Sequence, residues 1–247
     1  MTQRIPGIDV SAWQPHINWQ KVAAAGNRFA FIKSTEGERY VSPTYEEQAS
    51  WATVAGLLVG PYHFARWELD NPEAQAEHFA NRSGDFGRGT LPPVLDLEWC
   101  STGKKDAVGK TIYHRRPSSE LAEWALRWLK RVHADTGRIP LVYTGPSFAA
   151  GYLPKGGPLM AELATYPLWT IDYSQADKPD AEARSLAMEP RPIKGVSWQW
   201  DIVQWTGKGR VDGVTKADKT TLADCDRNWF RGTETELRLF AGLDGGR

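Results

Sequence analysis

Asp96 and Glu98 close the apolar run Leu91-Pro92-Pro93-Val94-Leu95-Asp96-Leu97-Glu98. On a β-strand, residues two apart project from the same face, so both carboxylates point together into whatever that face encloses. Two carboxyl groups in unequal surroundings are the minimum equipment for acid–base chemistry, one holding a proton and the other a negative charge. A lone Asp-x-Glu at a strand end is usually no more than a hydrated terminus. Here, however, polar and ionisable residues recur at the ends of the other apolar runs: Asp9 with Ser11, Lys33 with Glu36, Tyr62 with His63, Tyr143, Asp172 with Tyr173, Gln204 with Trp205, and Asp224 with Asp226. In a closed parallel barrel all such ends meet around one mouth, where barrel enzymes keep their active sites.

The runs that must position these residues read as strands over Gly7 to Val10, Phe29 to Lys33, Leu57 to Phe64, Val94 to Glu98, Leu141 to Thr144, Leu168 to Tyr173 and Val196 to Trp205, the last with room for a break in its middle. A short final strand is placed near Leu222 to Asp226. Between them, Asn18 caps a helix from Trp19 that stops at Gly26, and Asn71-Pro72 opens another. The clearest helix runs from Ser119 to Thr136: Leu121, Trp124, Ala125, Trp128, Leu129 and Val132 share one face and Gly137 ends it. Strand and helix alternate as in α/β proteins, but helices fade after Leu168, so a regular eightfold repeat is not expected. No internal repeat or linker divides the chain. Residues 1–232 read as one domain and 233–247 as a tail, with a short helix from Thr233 to Phe240 and a frayed end from Gly242. The long polar segments Ser101 to Arg116 and Ser174 to Lys194 are expected to shape a binding site or to lack fixed structure.

Thirty basic and thirty acidic residues in 247 leave no net charge, which removes the electrostatic case for a nucleic-acid or anionic-membrane binder. Twelve tryptophans suit stacking on sugar faces as well as core packing; Trp13, Trp169 and Trp205 are the candidates for the former. No segment reaches membrane-spanning length. The first residues lack the basic and apolar regions of an export signal, so synthesis in the cytoplasm is expected. Cys100 and Cys225 read as free thiols, with a bridge between them the lesser alternative. Carboxylates with one nearby histidine would hold Mg²⁺ or Ca²⁺ loosely at best, and no metal or cofactor is expected. His63 reads as a structural histidine, and Lys33 with Glu36 as an ion pair at a strand end or as substrate contacts.

The ordered motifs Gly7-Ile8-Asp9-Val10-Ser11-x-Trp13-Gln14, Phe31-Ile32-Lys33-Ser34-Thr35-Glu36-Gly37, Gly60-Pro61-Tyr62-His63-Phe64-Ala65-Arg66, Pro92-Pro93-Val94-Leu95-Asp96-Leu97-Glu98, Val203-Gln204-Trp205-Thr206 and Asp224-Cys225-Asp226 carry a resemblance. From about Ile5 to Gly232 the chain resembles the glycoside hydrolase family 25 muramidases, the Chalaropsis-type lysozymes. That resemblance implies a modified TIM-like barrel, (β/α)5(β)3, and hydrolysis of the β-1,4 bond between N-acetylmuramic acid and N-acetylglucosamine in peptidoglycan. It implies Glu98 as acid/base, Asp96 as its partner orienting or stabilising the substrate's N-acetyl group, and Asp9 and Asp224 as further catalytic acids. Asp226 is the alternative to Asp224, since the family shows Asp-x-Asn here and Asp224, Asp226 and Asn228 stand close together. Tyr62, Lys33, Glu36, Tyr143, Asp172, Tyr173, Gln204, Trp205 and Asp226 are the expected substrate-binding residues. The expected partner is the peptidoglycan glycan strand, met by a monomer without membrane insertion. The expected setting is phage lysis, as an endolysin, or delivery by a dedicated secretion machine. A catalytically silent glycan-binding barrel and a hydrolase of another N-acetylated glycan are the competing readings.

Overall fold

A computed structural model describes residues 3–243. Its centre is a barrel of eight strands, β1 (Arg4–Val10), β2 (Phe29–Glu36), β3 (Leu58–Phe64), β4 (Val94–Asp96), β5 (Leu141–Tyr143), β6 (Leu168–Ile171), β7 (Trp200–Gly209) and β8 (Cys225–Arg231). Strands β1 to β7 pair in parallel in chain order. β8 then runs antiparallel between β7 and β1 and closes the ring. Helices α1 (Trp19–Ala24), α2 (Tyr45–Val54), α3 (Pro72–Arg82), α4 (Ser118–Thr136), α5 (Pro146–Tyr152) and α6 (Pro158–Leu163) cover the outside up to β6. After β6 the only helix among the described connections is the short α7 (Ala181–Ala187), and α8 (Glu234–Phe240) follows β8. The α/β barrel with a β-rich last third is the architecture expected.

Alternation along the strands creates two packing layers. Ile8, Val10, Ala30 and Ile32 face outward onto Trp19, Val22, Tyr45 and Ala52 of α1 and α2. Leu95, Leu97, Val142 and Val203 do the same towards α3 to α6. The intervening residues Phe29, Phe31, Val94, Leu141, Trp169, Ile202 and Phe230 fill the interior. Two interior glycines make room for them: a Cβ on Gly7 would stand 2.4 Å from the Phe29 ring, and one on Gly60 2.5 Å from Phe31. Small residues opposite large ones let the barrel reach interior packing density without voids. Leu237 and Ala241 are buried against the same cluster, so α8, started by a Thr233–Glu236 capping box, packs beneath the barrel at the end away from the mouth.

Several boundaries differ from those read in the sequence. β4 ends at Asp96, leaving Glu98 two residues beyond the strand, although Leu97 still donates its N–H to the Tyr143 carbonyl. β7 begins at Trp200 rather than Val196 and extends to Gly209; the apolar residues before it are a loop in which Trp198 is buried and donates to the Tyr166 carbonyl. β8 is seven residues long and starts at Cys225, overlapping the short final strand expected at Leu222 to Asp226 only in its last two residues. Ser101 to Arg116 is an ordered hairpin, Ser101–Lys105 paired with Thr111–Tyr113, and Ser174 to Lys194 contains α7. Cys100 and Cys225 are separate buried thiols. Of the frayed end expected from Gly242, Gly242 and Leu243 are ordered, their N–H groups donating to the Leu239 and Arg238 carbonyls, and residues 244–247 lie outside the described residues. Among the described residues no helix is long and apolar enough to cross a membrane.

Candidate active site

At the C-terminal mouth of the barrel the inward-facing residues change from apolar to polar. They line a cavity of about 350 Å³ made by Asp9, Ser11, Lys33, Tyr62, Asp96, Glu98, Tyr143, Gln204 and Asp226, with Trp169 and Phe64 as apolar walls. That volume suits a sugar-sized ligand. Trp13, on the loop after β1, stands at its rim with 88 % of its surface exposed. Trp169 is buried, stacked on Phe31 at 4.8 Å, and donates its indole N–H to Asn228 Oδ1 at 2.9 Å.

Two acidic pairs share this cavity. Asp9 and Asp226 face each other across the β1–β8 ladder. Gln204 Nε2 donates to Asp9 Oδ2 at 2.9 Å and to Asp226 Oδ2 at 3.2 Å, and Asn228 Nδ2 donates to Asp9 Oδ2 at 2.8 Å. The Gln204 amide cannot turn over, because its carbonyl oxygen accepts the hydroxyls of Tyr143, at 2.8 Å, and Tyr173. Burial raises both carboxyls, and repulsion from Asp9 with a hydrogen bond to it takes Asp226 up to about 9. Asp226 therefore holds the proton and donates it to Asp9, whose charge is spread over the donors of Asn228, Gln204 and Asp226.

The other pair is Asp96 and Glu98. Asp96 is only 7 % exposed, and its Oδ1 has no hydrogen-bond partner among the described residues. Burial, then the neighbouring Glu98, raise it well above the usual carboxylate range. Glu98 is half-buried; desolvation lifts it to about 7, with Asp9 adding to the rise and Lys33 opposing it. Lys33 pulls Asp96 the other way, and burial outweighs that pull. Lys33 itself is anchored to Glu36 at 2.6 Å and lies 4.7 Å over the Phe64 ring.

Some expected residues fall outside the cavity. Asp224 is exposed just before β8 begins and pairs with Arg210 at 2.9 Å; Asp226 and Asn228, inside the strand, point inward instead. Asp172 turns away from the mouth and is held by the N–H groups of Ser174 and Arg191, both at 2.9 Å. Trp205 faces the outer layer, stacked on Trp229 at 6.2 Å. Glu36 remains at the rim, tied to Lys33 and Arg66. Tyr173 reaches the site only through its hydroxyl. His63 points out of the barrel, stacked on Trp128 at 5.4 Å, with its ring nitrogens bonded to Thr35 and Gln75. Burial lowers it to about 3, so it stays neutral. Among the described residues no group of acids, histidines and cysteines is arranged to hold a metal ion. Asn228 belongs to the site and is absent from the expected set; its spacing of two from Asp226 was the available signal.

Comparison with known proteins accords with this geometry. The model of glycosyl hydrolases family 25 matches residues 8–214. Lysozyme M1 of Streptomyces globisporus is 31 % identical over 97 % of this chain and 72 % of its own length. The N,O-diacetylmuramidase of a Chalaropsis species is 37 % identical over 149 residues, 58 % of this chain and 67 % of its own. The crystal structure of the lysozyme from Streptomyces coelicolor superposes with a TM-score of 0.78 at 31 % identity, covering 98 % of both chains. With a matching family model over most of its length, a shared barrel and carboxyls gathered at the barrel mouth, the chain belongs to glycosyl hydrolases family 25.

Proposed function

We propose that this glycoside hydrolase is a peptidoglycan muramidase, cutting the β-1,4 bond between N-acetylmuramic acid and N-acetylglucosamine. The observation that carries the reading is the inequality of the two carboxyls at the end of β4, both on the wall of a sugar-sized cavity: Glu98, half-buried and held near 7, and Asp96, more deeply buried with one oxygen lacking a hydrogen-bond partner. Cleavage of a glycosidic bond needs a proton for the leaving oxygen and negative charge beside an oxocarbenium-like sugar. Glu98, protonated below neutrality and accessible from the mouth, supplies the proton. Asp96, on the wall of the same cavity, accepts the N–H of the substrate's N-acetyl group, a donor that favours its ionised form. Asp9, kept ionised by three donors, adds negative potential from the opposite wall. Tyr62 and Tyr143 offer hydroxyls to the sugar, and Trp13 offers a flat face at the rim.

A silent glycan-binding barrel gains nothing from four clustered carboxyls that raise one another's pKa. The test is mass spectrometry of purified peptidoglycan after digestion by the wild-type protein and by Glu98→Gln. Fragments with muramic acid at the reducing end from wild type alone are the expected result. Binding without cutting by both proteins would overturn the assignment, and equal cutting by both would remove Glu98 from its role.

A further inference from the structure

The hairpin Ser101–Tyr113 leaves the barrel three residues after Glu98, within a reach of about 10 Å, and carries charge that the rest of the chain does not share. From Lys104 to Arg116 there are five cations, Lys104, Lys105, Lys110, Arg115 and Arg116, against the single acid Asp106, in a protein with no net charge. The two arginines are engaged: Arg115 lies 4.3 Å over the Tyr152 ring, and Arg116 bonds the Trp67 carbonyl and Asp70. Asp106 is engaged too, its carboxylate accepting from the N–H groups of Val108 and Lys110 to make the turn. Lys104, Lys105 and Lys110 are exposed and have no ion-pair partner among the described residues. Val108 stands beside them at the tip, 88 % exposed.

We infer that this hairpin is a docking arm for the acidic peptide stem borne by the muramic acid that is cut, and so sets a preference for stem-bearing over naked glycan. The inference rests on the muramidase reading. The cavity and the arm divide the substrate by size and charge. The cavity in the barrel mouth, about 350 Å³, is filled by a sugar and leaves no room for a peptide. The stem therefore has to leave the cavity, and an arm rooted beside the catalytic glutamate offers it three unpaired ammonium groups and an apolar tip for its alanine methyls. The arm is ordered in advance: Ser101 pairs with Tyr113 and Lys105 with Thr111, Thr102 Oγ1 donates to the Ile112 carbonyl, the His114 N–H donates to the Cys100 carbonyl, and Tyr113 packs on Trp99 at 6.3 Å. Little ordering entropy is left to oppose binding. Attraction between exposed charges is confined to about a Debye length, some 8 Å at physiological salt, so the arm acts only on anionic groups that come that close to its lysines.

The experiment compares wild type, Lys104→Gln/Lys105→Gln/Lys110→Gln and Lys104→Arg/Lys105→Arg/Lys110→Arg on two soluble glycan preparations. Both are free of teichoic acid; one keeps its peptide stems and the other has been stripped of them by an amidase, and new reducing ends are counted. The glutamine variant is expected to lose roughly tenfold in kcat/KM on stem-bearing strands at low salt, consistent with three weak surface ion pairs. It should stay within about twofold on stripped strands, the arginine variant should match wild type on both, and 0.5 M salt should close the gap. Equal loss on both substrates, or no loss on either while wild type cuts, overturns the arm. Wild type cutting neither preparation overturns the muramidase reading and the arm with it.

Discussion

Replacing Glu98 by Gln should cut activity steeply and, at alkaline pH, make the protein more stable. The Glu98 carboxyl titrates near 7 in the folded protein and near 4.5 in a freely hydrated chain. Its folded pKa is the higher one, so between these values the native state keeps a proton that the unfolded chain has lost. Stability therefore falls as pH rises through that window, and above pH 7 the loss is complete. At about 1.4 kcal/mol per pH unit the full loss is roughly 3 kcal/mol. Water entering the open mouth solvates part of the half-buried carboxylate, and about 1–3 kcal/mol is the expected effect. Glutamine keeps the shape and cannot ionise. Urea unfolding followed by tryptophan fluorescence should give equal stability for the two proteins near pH 4 and a gap of that size in favour of the variant at pH 8. In wild type, kcat/KM should fall along the same limb near pH 7, while the variant stays some 10²- to 10⁴-fold below it throughout. A stability difference that does not change from pH 4 to pH 8 would refute the argument that burial withholds ionisation from Glu98.

Three further outcomes follow from the geometry. Asp226→Asn replaces a protonated acid by a neutral amide that can also donate to Asp9, so kcat/KM should stay within about tenfold of wild type, whereas Asp226→Ala removes the donor and should cost a hundredfold or so; equal losses would mean that Asp226 acts as an anion. Asp224→Asn breaks only an exposed pair with Arg210, and both activity and melting temperature should be unchanged within about twofold and 2 °C. Gly7→Ala sets a methyl 2.4 Å from the Phe29 ring, an overpacking expected to cost about 1–3 kcal/mol, read as a lowered urea midpoint with an unchanged slope.

The sequence by itself determined the alternation of strand and helix, the long helix α4 and its Gly137 stop, the fading of helices in the last third, and the grouping of Asp9, Lys33, Tyr62, Asp96, Glu98, Tyr143 and Gln204 at strand ends. Those features are local: periodicity, capping and the position of a polar residue after an apolar run can be read one segment at a time. α2 escaped such reading, since it exposes Trp51 and Val54 while burying Gln48, against the usual sense of an amphipathic face. β8 escaped because a strand that pairs antiparallel on both sides and carries Asp226, Arg227, Asn228 and Arg231 has no apolar run to announce it. Only the tertiary structure decided which of Asp224 and Asp226 enters the site, because a shift of two residues at a strand start depends on where pairing with β1 and β7 begins. It alone turned Asp172 and Trp205 outward, brought Asn228 and Gln204 onto Asp9 from strands far apart in the chain, and set the unequal desolvation of Asp96 and Glu98. Burial and hydrogen bonding across the closed ring are properties of the assembled barrel, and no segment contains them until the ring has closed.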